Sequence, residues 1–391
     1  MIPMSIFNYN TVPKIRFGVG SLMQSTNDLV TTLGERIMVI TDKGLTTLRL
    51  HLPLLKILEE SNAVISLYDS VEADPSLSTL IHAINFANEN YITGIIGFGG
   101  GSPMDVAKLT ALICGSKESL DRAWGVGNAI GPRLPLCLIP TTSGTGSEVT
   151  PIAIITIAGE EKRGVVSPIL IPDFAVLDPN LTIGLPASIT AATGIDAMVH
   201  AIEACSSKSP NNNPISRALA QESLILLNRS INLAVSDGTN TKARTDMLLG
   251  SMMAGMAFAN SPVAAVHALA YPLGGTFHIP HGLSNALVLS EVLKFNASDR
   301  KAAKVYANLA QIVCPSAKKS ASDYSEALRF SQYFKALSKS LGLPVRLRDL
   351  NIPKDALKKL AEDAMRQTRL LVNNPRKMNE DDALKIYQSV W

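Results

Sequence analysis

Cysteine is scarce in this chain: Cys114, Cys137, Cys205 and Cys314 are scattered over 391 residues with no C-x-x-C pair. That argues against a disulfide framework and a thiolate metal site, and leaves small apolar core residues of a reducing compartment. Charge of one sign is lacking too, since 36 Lys+Arg against 33 Asp+Glu leave a net +3. So weak a balance gives no reason to expect a nucleic-acid partner or an anionic membrane surface. The basic residues gather mainly after Lys294, in stretches such as "KKSASDYSEALRF" and "LPVRLRDL" that read as solvated helix faces. No stretch approaches the ~20 uninterrupted apolar residues of a membrane span. The opening "MIPMSIFNYNTVPKIRFG" lacks the apolar core of a secretory signal. The expectation is a soluble, cytoplasmic protein that partners neither nucleic acid nor membrane.

Hydrophobic residues make up 46%, ample for a large core, and the length exceeds what one ordinary core organises, so two domains are expected. In the first half, strand-like runs alternate with helical ones. "RIMVITD", "AVISLYD", "YITGIIGFGGGS" and "LPLCLIPTTSGTGSE" read as strands, and "SLSTLIHAINFANEN" as a helix between two of them. Such alternation indicates a parallel sheet covered by helices. "PIAIITIAGEEKRGVVSP" looks instead like a hairpin or two short strands. After Pro186 helical patterns follow one another, separated by "SKSPNNNP", "SDGTN", "NSP", "HIPHG" and "LGLP", up to a last short helix beyond "NNPRKMNEDD". The predicted division is an α/β domain over 1–185 and an all-α domain over 186–391.

Two loops in the first half carry chemistry. "GFGGGSPMDVAK", Gly97–Lys108, follows a strand and opens a helix, where glycine lets a phosphate approach backbone N–H groups at a positive dipole end. A tight turn without a ligand is the competing reading, though three consecutive glycines with Ser102 exceed what a turn requires. The usual dinucleotide fingerprint is not met, because Ser102 stands where a third Gly or Ala belongs. "PTTSGTGSE", Pro140–Glu148, is a second strand-to-loop passage rich in hydroxyls. Paired loops at strand carboxyl ends mark the place where α/β sheets bind ligands. Asp42, in "ITDKGL", suits the ribose hydroxyls of an adenosine and would repel a 2′-phosphate, so that a nicotinamide dinucleotide, if that is the ligand, would be NAD rather than NADP; capping the next helix is its other reading.

In the second half, "TGIDAMVHAIEAC" is an apolar helix that carries Asp196 and His200 four residues apart, on one face. His267 lies on another apolar helix, and His281 opens the next one after a Pro-Leu-Gly-Gly break. Four of the chain's six histidines fall between His200 and His281. One carboxylate and three imidazoles in small apolar surroundings are costly to bury unpaired and sensible around a divalent cation.

With these motifs the chain resembles the iron-containing (group III) alcohol dehydrogenases. "PKIRFGVGSL", "VITDKGL", "GFGGGSPMDVAK", "PTTSGTGSEVTP", "AVLDPNLTIGLP", "TGIDAMVHAIEAC" and "HIPHGLSNAL" occur in that order over nearly its whole length. The resemblance implies the dehydroquinate synthase-like arrangement of an NAD-binding α/β domain and a helical metal domain. It assigns Asp196, His200, His267 and His281 as ligands of Fe(II), with Zn(II) as the alternative. It also assigns Gly99, Gly100, Gly101 and Ser102 to the pyrophosphate, Thr142 and Ser147 to cofactor contacts, Asp42 to the adenosine ribose and Lys162 to the cofactor's vicinity. Asp105, beside the glycine loop, reads as structural. Many members carry a further histidine four residues after the third ligand; here that position is Tyr271. Tyr271 and His278 are the candidate proton-transfer residues, with His278 read foremost as a surface-loop histidine.

The implied reaction exchanges hydride between NAD(H) and a primary or secondary alcohol, or its aldehyde or ketone, in a homodimeric enzyme. A dication that takes a bound hydroxyl from a pKa of ~15.7 to ~7 supplies on the order of 10 kcal/mol, against roughly 3–5 kcal/mol for a general base. A missing relay histidine therefore need not abolish activity. The alternatives are a hydroxyacid-oxoacid transhydrogenase with retained NAD, a lyase like dehydroquinate synthase, and a non-enzymatic binding protein. Neither Phe258 nor Tyr271 identifies the alcohol.

Overall fold

The computed structural model describes residues 6–157, 161–315 and 322–391. Its first compact unit is Asn10–Ile183; the second is Gly184–Trp391 together with the N-terminal residues up to Tyr9. Asn8 joins that second unit by exchanging two hydrogen bonds with Asn211, at 2.8 and 2.9 Å.

The first unit holds strands β1 (Lys14–Phe17), β2 (Arg36–Ile40), β3 (Val64–Tyr68), β4 (Gly94–Gly99), β5 (Gly125–Val126), β6 (Leu136–Pro140), β7 (Ile152–Thr156), β8 (Lys162–Val166) and β9 (Phe174–Leu177). Its helices are α1 (Thr26–Leu33), α2 (Lys43–Thr47), α3 (Leu52–Glu59), α4 (Leu77–Glu89), α5 (Gly101–Ser116) and α6 (Leu120–Ala123). Six strands form one sheet in the order β1-β9-β6-β4-β2-β3, and every pairing in it is parallel. β4, β6 and β9 are buried along their whole length, which is why they read as continuous apolar runs rather than as alternating ones. The period of two still sorts their side chains. Ile37, Val39, Ile96 and Phe98 pack with α1 and α3 on one face, while Met38, Ile40, Ile95 and Leu138 pack with α4 and α5 on the other.

β2 continues to β3 on one side, but β4 returns to β2's other side. That reversal leaves a crevice between the carboxyl ends of β2 and β4, the place where doubly wound sheets take up ligands. The strands expected from the sequence are present as β2, β3, β4 and β6, and the separate hairpin is β7–β8, antiparallel, with β5 added alongside. Residues 158–160, between β7 and β8 in sequence, lie outside the described residues.

The second unit consists of α7 (Ala187–Ser206), α8 (Pro214–Ser236), α9 (Thr241–Asn260), α10 (Ala265–Phe277), α11 (His281–Asn296), α12 (Arg300–Val313), α13 (Asp323–Ser340), α14 (Ala356–Met365), α15 (Thr368–Leu371) and α16 (Glu380–Ser389). The breakers act as caps. Asn213 accepts from Ser216 N ahead of Pro214 at the start of α8, Asn240 from Ala243 N at α9, and Asn379 forms a capping box with Asp382 at α16. One expected break moves. α10 runs straight through Pro272-Leu273-Gly274-Gly275 to Phe277 and stops only at His278, whose φ of 53° is left-handed. A proline's fixed φ is helical, so Pro272 forfeits one hydrogen bond without ending the helix. The left-handed residue followed by Pro280 is what ends it. No single described helix is long and apolar enough to cross a membrane.

Candidate metal centre and dinucleotide loops

α7 presents Asp196, His200 and Glu203 at spacings of four and three, one above another on a single face. α10 supplies His267 in its first turn, and α11 supplies His281 as its first residue. The start of α11 lies directly on α7: a Cβ at Gly282 would sit 2.4 Å from the Ala192 carbonyl oxygen, so only glycine permits this approach. In consequence one ligand atom from each of Asp196, His200, His267 and His281 lies within 4.8 Å of the others. A divalent ion about 2.0–2.2 Å from each donor allows donor separations up to about 4.4 Å. A closure of a few tenths of an ångström suffices, and the donor set fits Fe(II) or Zn(II).

The surroundings hold these side chains in place. His200 is stacked between the Phe258 ring (centroids 4.3 Å) and the His267 ring (4.8 Å). Glu203, also buried, accepts hydrogen bonds from the backbone N–H groups of Ala264 (2.9 Å) and Val266 (2.7 Å), and lies 2.7 Å from His267 Nδ1. The carboxylate thus satisfies free donors at the start of α10 and selects the His267 tautomer whose Nε2 lone pair faces inward. Burial pushes the Asp196 carboxyl up to about 6 despite the opposing pull of His267 and the Asn285 amide. This is the state of a carboxylate short of a positive partner.

Two members of this centre escape the sequence reading, although a signal for each was present. Glu203 lies seven residues after Asp196, hence on the same helix face. Asn285 lies four after His281; its Nδ2 is 2.6 Å from Asp196 Oδ1 and 3.3 Å from both His267 Nε2 and His281 Nε2. The two candidates for proton transfer separate. The Tyr271 ring is tilted against His281 at 5.9 Å, and its hydroxyl lies 3.5 Å from an Arg369 nitrogen. His278 caps the exposed end of α10.

In the α/β unit, Asp42 follows β2 and the Gly99–Ser102 loop follows β4, either side of the crevice. Asp42 Oδ1 accepts the Leu45 N–H at 2.9 Å and so caps α2. Gly99 has a φ of +150°, and a Cβ at Gly97 would lie 2.7–2.8 Å from Leu138 and Ala107, so α5 can sit tight on the sheet. The second loop lies alongside: Thr141 N donates to Gly99 O at 2.9 Å, and Thr142 flanks Gly100.

Beneath these loops lies a buried polar cluster. Ser147 Oγ donates to Asp105 Oδ1 at 2.7 Å and accepts from Lys108 Nζ at 2.8 Å. Lys108 also donates to Thr150 Oγ1 and Ile152 O, and Asp105 Oδ2 accepts Ile154 N–H. Burial lowers the Lys108 ammonium to about 8, opposed by Asp105 and Glu148, and raises the Glu148 carboxyl to about 7. Ser147 is therefore committed inward, with Asp105 and Lys108 fixing the second loop from α5. Lys162 forms an ion pair with Asp74.

Two family models cover the chain, iron-containing alcohol dehydrogenase over residues 13–179 and the C-terminal part of the Fe-containing alcohol dehydrogenase family over 190–391. The chain belongs to the iron-containing alcohol dehydrogenase family. It is 36% identical to long-chain-alcohol dehydrogenase 1 of Geobacillus thermodenitrificans, over 99% of this chain and 98% of the relative. A solved 1,3-propanediol oxidoreductase superposes with a TM-score of 0.93 at 31% identity, covering 99% of this chain and 100% of the other. The sulfoacetaldehyde reductase of Bifidobacterium kashiwanohense, solved in complex with NAD+, superposes with a TM-score of 0.86 at 27% identity, over 98% of each chain. This iron-containing alcohol dehydrogenase is accordingly an NAD-linked oxidoreductase acting on CH–OH groups or the corresponding carbonyls. Its parallel-sheet and helical units are those of the family.

Proposed function

We propose that Asp196, His200, His267 and His281 hold the Fe(II) of this dehydrogenase, with Zn(II) as the alternative ion, and that Asp42, Gly99, Gly100, Gly101, Ser102, Thr142, Ser147 and Lys162 form the NAD site. The convergence of one buried carboxylate and three imidazoles within 4.8 Å carries the reading. When bound, the cation supplies Lewis acidity toward the alcohol or carbonyl oxygen and the dinucleotide supplies the hydride carrier.

The chain's own residues provide the rest. Glu203 holds the proton on His267 Nδ1 and leaves Nε2 free to ligate. The N–H groups at the start of α5 meet the pyrophosphate at the helix's positive end, which the glycines let it approach. Asp42 accepts ribose hydroxyls through the oxygen not used to cap α2 and repels a 2′-phosphate. Ser147 acts by holding its loop in place, since its hydroxyl is bonded to Asp105 and Lys108. Tyr271, beside His281, exchanges the substrate proton with solvent, and His278, at the exposed end of α10, is the second candidate. Unpaired Cys114, Cys137, Cys205 and Cys314 suit a cytoplasmic enzyme, and the family resemblance supports a homodimer.

The test is anaerobic reconstitution of chelator-treated protein with Fe(II) or Zn(II), following NADH and NADPH oxidation against aldehydes and ketones. Metal-restored turnover that prefers NADH supports the assignment. Tight NAD binding with no turnover under either metal contradicts it, and turnover without added dinucleotide would turn the reading toward the transhydrogenase.

A further inference from the structure

The amide of Asn285 stands among the donors of the metal centre without being one of them. It is fully buried on α11, one turn beyond His281. Its Nδ2 approaches Asp196 Oδ1 to 2.6 Å and the Nε2 atoms of His267 and His281 to 3.3 Å each, whereas its Oδ1 is buried with no hydrogen-bond partner. Turning the amide over would give Oδ1 the contact with Asp196, oxygen against oxygen at 2.6 Å, where both atoms are acceptors. The carboxylate therefore dictates the orientation, and the unsatisfied Oδ1 is its consequence. A buried polar atom left without a partner is uncommon and is tolerated where another demand outweighs it.

We propose that Asn285 is a positioning residue of the metal centre: its N–H donation fixes the rotation of the Asp196 carboxylate, so that Asp196 meets the ion in a set orientation. The inference rests on the ligand assignment above. The amide brings N–H donors without adding a charge that would compete with the cation. An aspartate in its place would set a second carboxylate against Asp196, and a leucine would fill similar space with no donor. Outer hydrogen bonds of this kind govern ligand orientation, and losing one typically costs about 10–100-fold in metal affinity.

The test compares wild type, Asn285→Leu and Asn285→Asp in the full chain, titrated with Co(II), which reports ligand geometry through its visible d–d absorption. Unfolding of each metal-free protein, followed by circular dichroism, verifies that it folds. Expected is wild-type Co(II) binding with a defined spectrum, and in Asn285→Leu an affinity weaker by about 10–100-fold with shifted bands. Asn285→Asp, the same size and shape, should also shift the bands and should gain more thermal stability from Co(II) than wild type does. Variants that bind with wild-type affinity and an unchanged spectrum would overturn the role of Asn285. Absence of Co(II) binding by wild type would instead overturn the ligand assignment, which separates the two failures.

Discussion

The metal centre and the cluster beneath the dinucleotide loops are both buried and both polar, yet they resolve their charges in opposite ways. At the loops the cation has an internal answer: Lys108 is surrounded by Ser147, Thr150 and the Ile152 carbonyl, with Asp105 4.0 Å away. At the metal centre acceptors crowd together: the Asn285 amide meets Asp196 Oδ1 at 2.6 Å and the Nε2 atoms of His267 and His281 only at 3.3 Å, while the backbone N–H groups at α10 are taken up by Glu203. The first arrangement is a finished scaffold that presents backbone to a ligand. The second is incomplete by itself, which is the physical mark of a cation site.

The sharpest way to break this contrast is at Asp196. Asp196→Ala should lose bound metal and lower kcat/KM by at least about 10³-fold, since several kcal/mol of charge stabilisation goes with the ion. Retained metal content by elemental analysis would contradict it. In the scaffold, the largest effect should be on stability rather than chemistry. Lys108→Met strips Asp105 and Glu148 of their buried cation and should cost about 3 kcal/mol in denaturant unfolding.

pH sharpens the same contrast. The Glu148 carboxyl is raised from 4.5 to about 7, so between those values the folded state keeps a proton that the unfolded chain has released. The Glu148 contribution to stability should be full below about pH 4.5 and decline as pH rises through about 7, by up to about 3 kcal/mol at 1.36 kcal/mol per unit. Glu148→Gln should flatten the slope, and an unchanged slope would refute its origin. Smaller again, Glu203→Gln should weaken metal binding about 10–100-fold by loosening His267. Asp42→Ala should narrow the preference for NADH over NADPH by about 10-fold, roughly 1.4 kcal/mol.

Sequence periodicity made the longer buried strands and most helices legible, because β4 and β6 are continuous apolar runs and α8, α9 and α16 begin at side-chain caps. It did not reveal β1, β5 or β9. β5 is two residues long, β1 is a charged edge strand, "KIRF", and β9 is only four residues, next to a proline-rich turn. A proline within α10 read as a break because local propensity cannot register the tertiary packing that carries a helix through one. At the site, His and Asp stand out by chemistry and by resemblance. Glu203 and Asn285 act through other residues, and outer positions of that kind show only once three helices are brought together. The inward commitment of Ser147 was hidden likewise, since Asp105 and Lys108 lie 42 and 39 residues away in sequence.

The central claim is where the ion sits, and the most direct measurement is anomalous diffraction at the iron absorption edge from crystals of anaerobically reconstituted protein. The account predicts a single strong peak about 2.0–2.2 Å from Asp196, His200, His267 and His281 at once. A peak elsewhere, or none there in protein that turns over NADH, would contradict it.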